Sequence, residues 1–496
     1  MIKYYLLIVF LVSEVGLFAQ KWDYQWVFGY AAAKEKGYGL TLLDFNNSQV
    51  DVSYYQRSPS YDLDFGGSFI DSKEGELILH TNNCVIKDAD GNVISGTGLI
   101  TPTGDAVSGC EGNAAVSYAA EQSSVFIPDL KDDSVVYLIH KDSDLDFEAD
   151  EIGGNNMYLS KIIKENDRYK YVSRKLISTW YQVDSRLTAC PNKEKTGWWV
   201  LMPDNNSNVF RKYLITNDTL IKTDSQSIGR VLNSWDLGIG QAQFSPDGSM
   251  YAINSERYGV LLYDFNNETG ELSNYREIDY FGYIAQGLCF SPNSRYIYLT
   301  TAENVYQVDL EEGNEVFHIG RYRSFDDIGW PVGLGYILAG PDCRLYVSPG
   351  STTYYLHVIL NPDEKGKDCN FVERAIRSPT RLAHDLPNLP QYRYLTGCDT
   401  TIAFPFGTSV IDEALEEIDF KIYPNPSTDY IELVLTKMDR WGNWQILDIT
   451  GNVVLTGEYT DMQKIDVSGL ENGMYILRVR DKEGIVSVAK FVKASF

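Results

Sequence analysis

A proline turn that recurs at nearly constant spacing is the feature that most constrains the fold of this 496-residue chain. Ser-Pro-Asp, Ser-Pro-Asn and Gly-Pro-Asp begin at Ser245, Ser291 and Gly340, and their prolines lie 46 and 49 residues apart. Proline fixes φ at the start of a turn, and Asp or Asn bonds the backbone just beyond it. An apolar, tyrosine-rich stretch typical of a strand follows each turn.

A repeat of this length with room for about four strands is typical of a propeller blade. Looser copies of the turn lead into the apolar stretches 76–79 and 198–202. Helical periodicity is scarce throughout. The sequence therefore predicts an all-β protein with a β-propeller of about seven blades over residues 20–396.

The C-terminal part of the chain has the pattern of a separate small β domain. Apolar side chains alternate with polar ones in 431–435 and again in 475–479, as they do in strands with one buried face. About seven short strands fit into residues 418–496, which predicts an immunoglobulin-like β-sandwich.

Both ends of the propeller segment have recognisable neighbours. Lys3 and the nine apolar residues 4–12 predict a signal peptide over 1–19, since the apolar run is too short to span a bilayer. Cleavage is expected between Ala19 and Gln20, and no later apolar run is long enough to cross a membrane. Residues 397–417 are expected to be a linker in which, or just after which, proteolytic maturation takes place.

Three short motifs identify the tail more closely. They are a Tyr-Pro-Asn-Pro segment, an Asp-x-x-Gly turn and a Gly-x-Tyr strand start followed by a lysine near the end, with the residues Tyr423, Pro424, Asn425, Pro426, Asp448, Gly451, Gly473, Tyr475 and Lys493. In this order they resemble the type A C-terminal sorting domain of proteins exported by the type IX secretion system of the Bacteroidetes. The resemblance implies recognition by the outer-membrane translocon, export to the outside of the outer membrane and removal of the tail, with the cargo anchored or released.

The propeller segment also resembles a known group. The Trp-Val-Phe-Gly start at 26–29 and the stretches 358–362, 368–372 and 385–391 are similar to propeller modules of gliding-motility-associated and other Bacteroidetes surface proteins. That resemblance implies a fold and no particular reaction.

Charge and cysteine content narrow the range of partners and cofactors. The formal net charge of −25 argues against nucleic acid and anionic lipid as partners. Seven cysteines leave at least one unpaired, and Cys84 with Cys110 and Cys343 with Cys369 are the predicted pairs. The spacing of cysteines and histidines does not match a zinc site, and no cofactor is predicted.

The candidates for chemistry are few. Asp142, Asp144 and Asp146 have the spacing of a calcium loop, but Phe147 stands where such a loop needs glycine, so a solvated loop is predicted. His140 and His357 fall within strand patterns and are expected to be structural. No catalytic residues are predicted.

Two aromatic pairs, 180–181 and 198–199, have two interpretations. Aromatic faces stack on sugar rings, but large aromatic side chains also fill the gaps between blades, and the second interpretation is favoured for both.

The sequence thus predicts a secreted or surface-attached, non-enzymatic propeller that binds protein or glycan. One alternative is an enzyme, because residues 244–272 also resemble blades of lactonase-type propellers. Such enzymes converge acids, histidines or arginines on the mouth of the central channel. The other alternative is a structural module of a larger surface assembly.

Overall fold

The computed structural model describes residues 20–405 and 420–494. Short stretches inside these ranges are not described, namely 31–36, 56–62, 64–66, 97, 99, 101–109, 111–121, 143, 147–150, 154–155, 184, 217–218, 238–239, 281–284, 323, 326–330, 383, 385, 436–441, 449–452, 460–462 and 482–485. The predicted signal peptide with Ala19, the segment 406–417 of the expected linker, and Gly451 of the sorting motif therefore lie outside the described residues.

Within the described residues, seven antiparallel sheets follow one another along the chain up to Leu382. The first two sheets have three strands each: sheet 1 has β1 (Gln25–Tyr30), β2 (Gly39–Asp44) and β3 (Asp51–Tyr55), and sheet 2 has β4 (Ser68–Asp71), β5 (Leu77–Thr81) and β6 (Ile86–Asp88). The next three have four strands each: sheet 3 has β7 (Ser124–Pro128), β8 (Val135–Lys141), β11 (Met157–Glu165) and β12 (Arg168–Ser178); sheet 4 has β13 (Thr188–Pro191), β14 (Trp198–Pro203), β15 (Ser207–Thr216) and β16 (Thr219–Leu232); and sheet 5 has β17 (Ala242–Phe244), β18 (Met250–Ser255), β19 (Gly259–Asn266) and β20 (Glu271–Ile278). The last two also have four: sheet 6 has β21 (Ala285–Phe290), β22 (Tyr296–Thr301), β23 (Asn304–Asp309) and β24 (Glu315–Arg321), and sheet 7 has β27 (Leu334–Ala339), β28 (Leu345–Pro349), β29 (Thr353–Ile359) and β30 (Phe371–Leu382). Two short hairpins, β9 (Asp144–Asp146) with β10 (Glu151–Gly153) and β25 (Ser324–Phe325) with β26 (Pro331–Val332), are inserted between these strands. Within the described residues, the helical elements include α1 (Ser234–Leu237), a 3-10 turn (Gly366–Cys369) and α2 (Arg393–Thr396).

The recurrent proline turn is built as the sequence predicts. In the fifth sheet, the hydroxyl oxygen of Ser245 accepts the N–H of Met250 (2.9 Å), and the carboxylate of Asp247 accepts the N–H of Ser249 (3.0 Å). Ser291 and Asn293 play the same parts in the sixth sheet. These bonds reverse the chain between the first and second strands of each sheet.

The sheets close into a ring because neighbours share apolar cores. One core joins the second and third sheets, another the third to fifth, and a further one the fifth and sixth. Trp26 and Phe45 of the first sheet pack against Tyr346 of the seventh, and the hydroxyl groups of Thr41 and Thr380 lie 2.7 Å apart across the same junction. The predicted seven-bladed propeller is confirmed, and the sheets are called blades 1 to 7 below.

The meander of each blade creates two faces. In blades 2 to 7, the lower face carries the hairpin between the first and second strands, including the proline turns. The upper face of these blades carries the hairpin between the second and third strands and the connections from one blade to the next. In blade 1, the hairpin between β2 and β3 lies on the lower face, where Nδ2 of Asn46 donates to the carbonyl of Gly75 in the first turn of blade 2 (2.7 Å).

One predicted disulfide is confirmed and the other is wrong. Cys84 pairs with Cys110, but Cys343 pairs with Cys398 and Cys369 is a buried thiol. Cys343 lies in the lower-face turn of blade 7, where the chain returns after the last blade. Cys369 instead packs inside the loop between β29 and β30.

The chain after the last blade remains attached to the lower face of the propeller. The N–H of Asp399 donates to the carbonyl of Pro341 (2.7 Å), and the N–H of Ala403 donates to the carbonyl of Ser48 (2.7 Å). The first compact unit ends at Pro405. The first residues of the expected linker therefore pack on the propeller.

The second compact unit contains a β-sandwich. One sheet has the order β31–β32–β35 and the other β34–β33–β36–β37. Their strands are β31 (Phe420–Tyr423), β32 (Tyr430–Leu435), β33 (Gly442–Leu447), β34 (Val453–Tyr459), β35 (Gln463–Asp466), β36 (Gly473–Asp481) and β37 (Val486–Lys493). Ile431, Leu433, Leu477 and Val479 are fully buried between the sheets, which confirms the predicted immunoglobulin-like domain. Among the described residues, no helix is long and apolar enough to cross a membrane.

Candidate functional site

The axis of the propeller is occupied by its own chain. The first strands of the blades lie side by side around the axis, and residues 386–393, called the axial segment, run between them. The main-chain N–H of Asn388 donates to the carbonyl of Gly67 in blade 2 (2.8 Å). Its side-chain Nδ2 donates to the carbonyls of Ser124 (2.8 Å) and Leu187 (2.9 Å) in blades 3 and 4.

Other polar groups extend these contacts around the ring. The N–H of Gln391 donates to the carbonyl of Ala189 in blade 4 (2.8 Å), and its Nε2 donates to that of Phe244 in blade 5 (2.6 Å). Just before the axial segment, the ring of His384 is hydrogen-bonded to the side chain of Gln286 in blade 6. Each contact uses a main-chain or amide group that would otherwise face the axis without a partner.

A buried ion pair closes the lower end. The guanidinium of Arg393 contacts both carboxylate oxygens of Asp23, which lies two residues before the start of β1 in blade 1. The two side chains are 5% and 3% exposed. Loss of either partner leaves an uncompensated buried charge, so the pair ties the end of the axial segment to the start of the propeller.

Among the described residues, little space remains beside the axial segment. The cavity beside the axial segment, between Thr188, Leu338 and Tyr392, has a volume of about 30 Å³. That volume holds about one water molecule.

Buried glutamines bridge the inner strands of different blades. The Oε1 atom of Gln122 accepts the N–H of Ala242 (2.8 Å), and its Nε2 donates to Oδ1 of Asn388 (3.2 Å). Oε1 of Gln241 accepts the N–H groups of Leu288 (3.0 Å) and Ile337 (2.9 Å), which joins blades 5, 6 and 7. Sequence reasoning missed these residues. Their signal, a glutamine at or just before the first strand of a blade, recurs at Gln286.

Three buried basic residues, Arg186, His140 and His357, have structural roles. Nη2 of Arg186, which has a φ of 86°, donates to the carbonyls of Leu237 (3.0 Å) and Asn254 (3.3 Å). Burial lowers the pKa of His140 and of His357 to about 3, so both rings are neutral at physiological pH. His140 is hydrogen-bonded to the hydroxyl of Ser160 (2.9 Å), and His357 accepts the N–H of Arg374 (3.2 Å). Their predicted structural role is confirmed.

The tryptophans of the two aromatic pairs differ in exposure. Trp198 and Trp199 are buried, and their indole N–H groups donate to the carbonyls of Pro128 (3.0 Å) and Asn267 (2.9 Å) on the adjacent blades. These two side chains fill the gaps between blades, as the favoured interpretation predicted. Trp180 is instead 54% exposed on the upper face.

The side chain of Trp180 rests on a fixed cation. The guanidinium carbon of Arg211 lies 3.7 Å from the centroid of the indole. The carboxylate of Asp204 accepts hydrogen bonds from Nε of Arg211 (3.1 Å to Oδ1 and 2.9 Å to Oδ2) and from its Nη2 (2.7 Å to Oδ2). A second tryptophan, Trp235, is 56% exposed in α1 on the same face. The neighbouring Asp236 anchors α1 through an ion pair with Arg257 (2.7 Å).

Part of the acidic stretch that begins at Asp142 forms a short β-hairpin instead of the predicted solvated loop, and Asp142 itself is buried. The carboxylate of Asp142 accepts the N–H (2.8 Å) and the Nδ2 (2.7 Å) of Asn156, and β9 pairs with β10 across the stretch. Among the described residues, no group of three acidic, histidine or cysteine side chains is placed to hold a metal ion.

The sandwich brings the distant parts of the predicted sorting motif together. Nδ2 of Asn425 donates to the carbonyl of Lys490 (3.1 Å), and Oδ1 accepts the N–H of Val492 (3.0 Å). These two hydrogen bonds of Asn425, called the latch below, hold the turn formed by Pro424 and Pro426 against β37, the last strand.

The remaining motif residues lie close to this strand. Gly473 is the register partner of Lys493, and the ring of Tyr475 stacks on Phe491 at 5.7 Å. Tyr423, at the end of β31, is 46% exposed. Asp448 directly follows β33. Their part in sorting stays a prediction.

Comparison with known proteins identifies the tail. The family model described as secretion system C-terminal sorting domain matches residues 421–494. No curated protein matches the chain.

Solved structures similar to the chain have low sequence identity to it. A periplasmic gluconolactonase of Pseudomonas aeruginosa is 12% identical, with 89% of this chain and 99% of that chain covered and a TM-score of 0.37. A putative 6-phosphogluconolactonase of Bacteroides fragilis is 10% identical, with 74% and 97% covered and a TM-score of 0.37. Similarity at this level says nothing about activity.

Proposed function

Because its sorting domain directs the protein through type IX secretion to the cell surface or the extracellular space, we propose that the propeller is a binding module that carries out no reaction at its axis. It contacts its partner with the exposed faces of the blades. The observation that carries the proposal is the axial segment, which bonds to the inner strands of blades 2 to 5 and leaves, among the described residues beside it, a cavity of about 30 Å³. A small-molecule site usually needs about 300 Å³ or more.

The lactonase-type alternative requires charged groups that converge on an open channel mouth. Among the described residues, three charged groups near this axis, Asp23, Arg393 and Arg186, already have partners. Asp23 is paired with Arg393, and the guanidinium of Arg186 donates to main-chain carbonyls. His384, at the upper end, is hydrogen-bonded to Gln286. These contacts stabilise the ring and favour a structural role for the axis.

A hydrolysis screen of the secreted protein tests the proposal. The protein is incubated with aldonolactones and with aryl glycosides, and release of acid or of the aryl group is followed. We expect no turnover above that of buffer. Turnover that disappears in His384→Gln, in a variant with an unchanged thermal midpoint, would overturn the proposal by locating chemistry at the axis.

A further inference from the structure

We propose that the upper face of blades 3 to 5 carries a saccharide-binding site, called the aromatic ledge, made of Trp180, Trp235, Asp204, Asn205 and Arg211. Its ligand is a chain of neutral pyranose units. The inference rests on the proposed binding function and names its site and ligand class.

The ledge holds Trp180 in a fixed orientation. The guanidinium of Arg211 covers one face of the indole at 3.7 Å, while 54% of the residue stays exposed. Arg211 and Asp204 are only 15% and 10% exposed, so their ion pair is itself part of the propeller body. An exposed tryptophan contributes little to folding. Since the largely buried Arg211–Asp204 ion pair nevertheless fixes the orientation of exposed Trp180, we infer that this indole belongs to a binding surface.

Asn205 joins the two tryptophans into one surface. Its N–H donates to the carbonyl of Tyr181 (3.0 Å), and its Oδ1 accepts the N–H of Ser234 (3.0 Å). Tyr181 and Ser234 are the sequence neighbours of Trp180 and Trp235. Asn205 therefore links the two segments that carry the indoles, and we infer that sugar rings of one chain contact both.

The chemistry of the ledge matches a pyranose ring. Such a ring has an apolar C–H face, which an indole can cover, and a rim of hydroxyl groups, which charged and amide groups bond. Within the described part of the chain, Asp204 takes the Nε donor and one Nη2 donor of Arg211. The Nη1 donors remain for a ligand.

A neutral saccharide fits better than an acidic polymer or a protein. The cation of the ledge is already neutralised by Asp204, and the chain has a net charge of −25, which repels polyanions. A protein interface buries about 800 Å² per partner around an apolar core. On the ledge, the segments that carry the two indoles are linked by the polar residue Asn205.

Titration of the secreted protein with defined saccharides tests the site. The probes are β-1,4-linked hexasaccharides of glucose, mannose and N-acetylglucosamine, with polygalacturonate as the acidic comparison. Binding is measured by calorimetry and by tryptophan emission, which should shift to shorter wavelength as an exposed indole is covered. We expect at least one neutral hexasaccharide to bind, and binding to weaken about tenfold or more in Trp180→Ala and in Trp235→Ala.

Two further variants separate stacking from folding. Trp180→Phe keeps an aromatic face above Arg211 and should retain most of the affinity. Tyr54→Ala removes an exposed aromatic side chain on blade 1 and should leave binding unchanged.

The possible failures are distinguishable. Saccharide binding that survives both tryptophan-to-alanine changes would overturn the ledge and leave the proposed function standing. The saccharide inference would also fall if no neutral hexasaccharide binds, including the case in which the ledge captures a protein instead. Hydrolysis of a probe would overturn the proposed function itself.

Discussion

The position of the axial segment predicts that replacing Asn388 destabilises the propeller. Its side chain donates to two carbonyls on different blades and accepts from Gln122. Asn388→Ala removes all three bonds and leaves buried polar groups behind, at about 1–3 kcal/mol for each unsatisfied group. The vacated space can admit a water molecule that restores part of this. We therefore expect a loss of about 3 kcal/mol in the free energy of unfolding.

Calorimetry of the secreted protein measures the effect. For a cooperative unit of this size, about 3 kcal/mol corresponds to a fall of about 4 °C in the thermal midpoint. Asn47→Ala, which removes one exposed hydrogen bond, is the matched control and should change stability by less than about 0.5 kcal/mol. Equal midpoints for the two variants would refute the axial placement.

A second substitution at the same position tests the direction of the bonds. Asn388→Asp keeps the shape of the side chain but directs a carboxylate at two carbonyl oxygens. Burial raises the pKa of such a group, so the folded state retains a proton that the unfolded state releases. Relative to the original protein at the same pH, this variant should be less stable at pH 8 than at pH 5. A pH-independent difference would count against the arrangement.

Three further measurements test other parts of the structure. Acid should destabilise the propeller, because three buried histidines have pKa values near 3 when folded and near 6.5 when unfolded, so stability present above pH 6.5 is lost as the pH falls. The loss is about 2 kcal/mol per histidine at pH 5; these residues are His80, His140 and His357. A thermal midpoint that does not change between pH 8 and pH 5 would contradict this. Alkylation of the denatured, unreduced protein should leave Cys343 and Cys398 linked in one peptide, and a labelled Cys343 peptide would disprove the pairing. Asn425→Ala should destabilise the sandwich by about 1–2 kcal/mol and lower the secreted fraction on immunoblots; unchanged export would make the latch dispensable.

Local chemistry explains what the sequence could predict. The turns at Ser245 and Ser291 are specified by residues within five positions of one another, so their spacing revealed the blades. The sorting motif can likewise be recognised in the sequence, because its residues form turns and strand ends that depend on local sequence. The Cys84–Cys110 bridge joins residues 26 apart in the chain, whereas Cys343 and Cys398 are 55 apart and meet only after the ring has closed.

Long-range placement explains what the sequence could not predict. Residues 385–391 stand out as a motif, but their partners are main-chain carbonyls of other blades, which carry no side-chain signature. The sequence also does not show whether an aromatic side chain is buried or exposed. Trp199 and Trp180 both lie beside another aromatic residue in the sequence, yet one is covered by the next blade and the other stands on Arg211.

The return of the chain to the lower face sets where the sorting domain can be removed without damage. A chain that stops after Pro405 keeps the Cys398 disulfide and the bonds of Asp399 and Ala403, whereas one that stops after Thr396 loses all of them. The disulfide alone contributes about 4 kcal/mol for a loop of this length in the chain-entropy account. Both chains lack the sorting domain and should stay in the periplasm, but only the longer one should resist proteolysis and melt like the complete protein. Equal protease resistance of the two chains would mean that the returning segment is dispensable. If the longer chain alone is stable, natural cleavage that releases an intact propeller has to fall after Pro405.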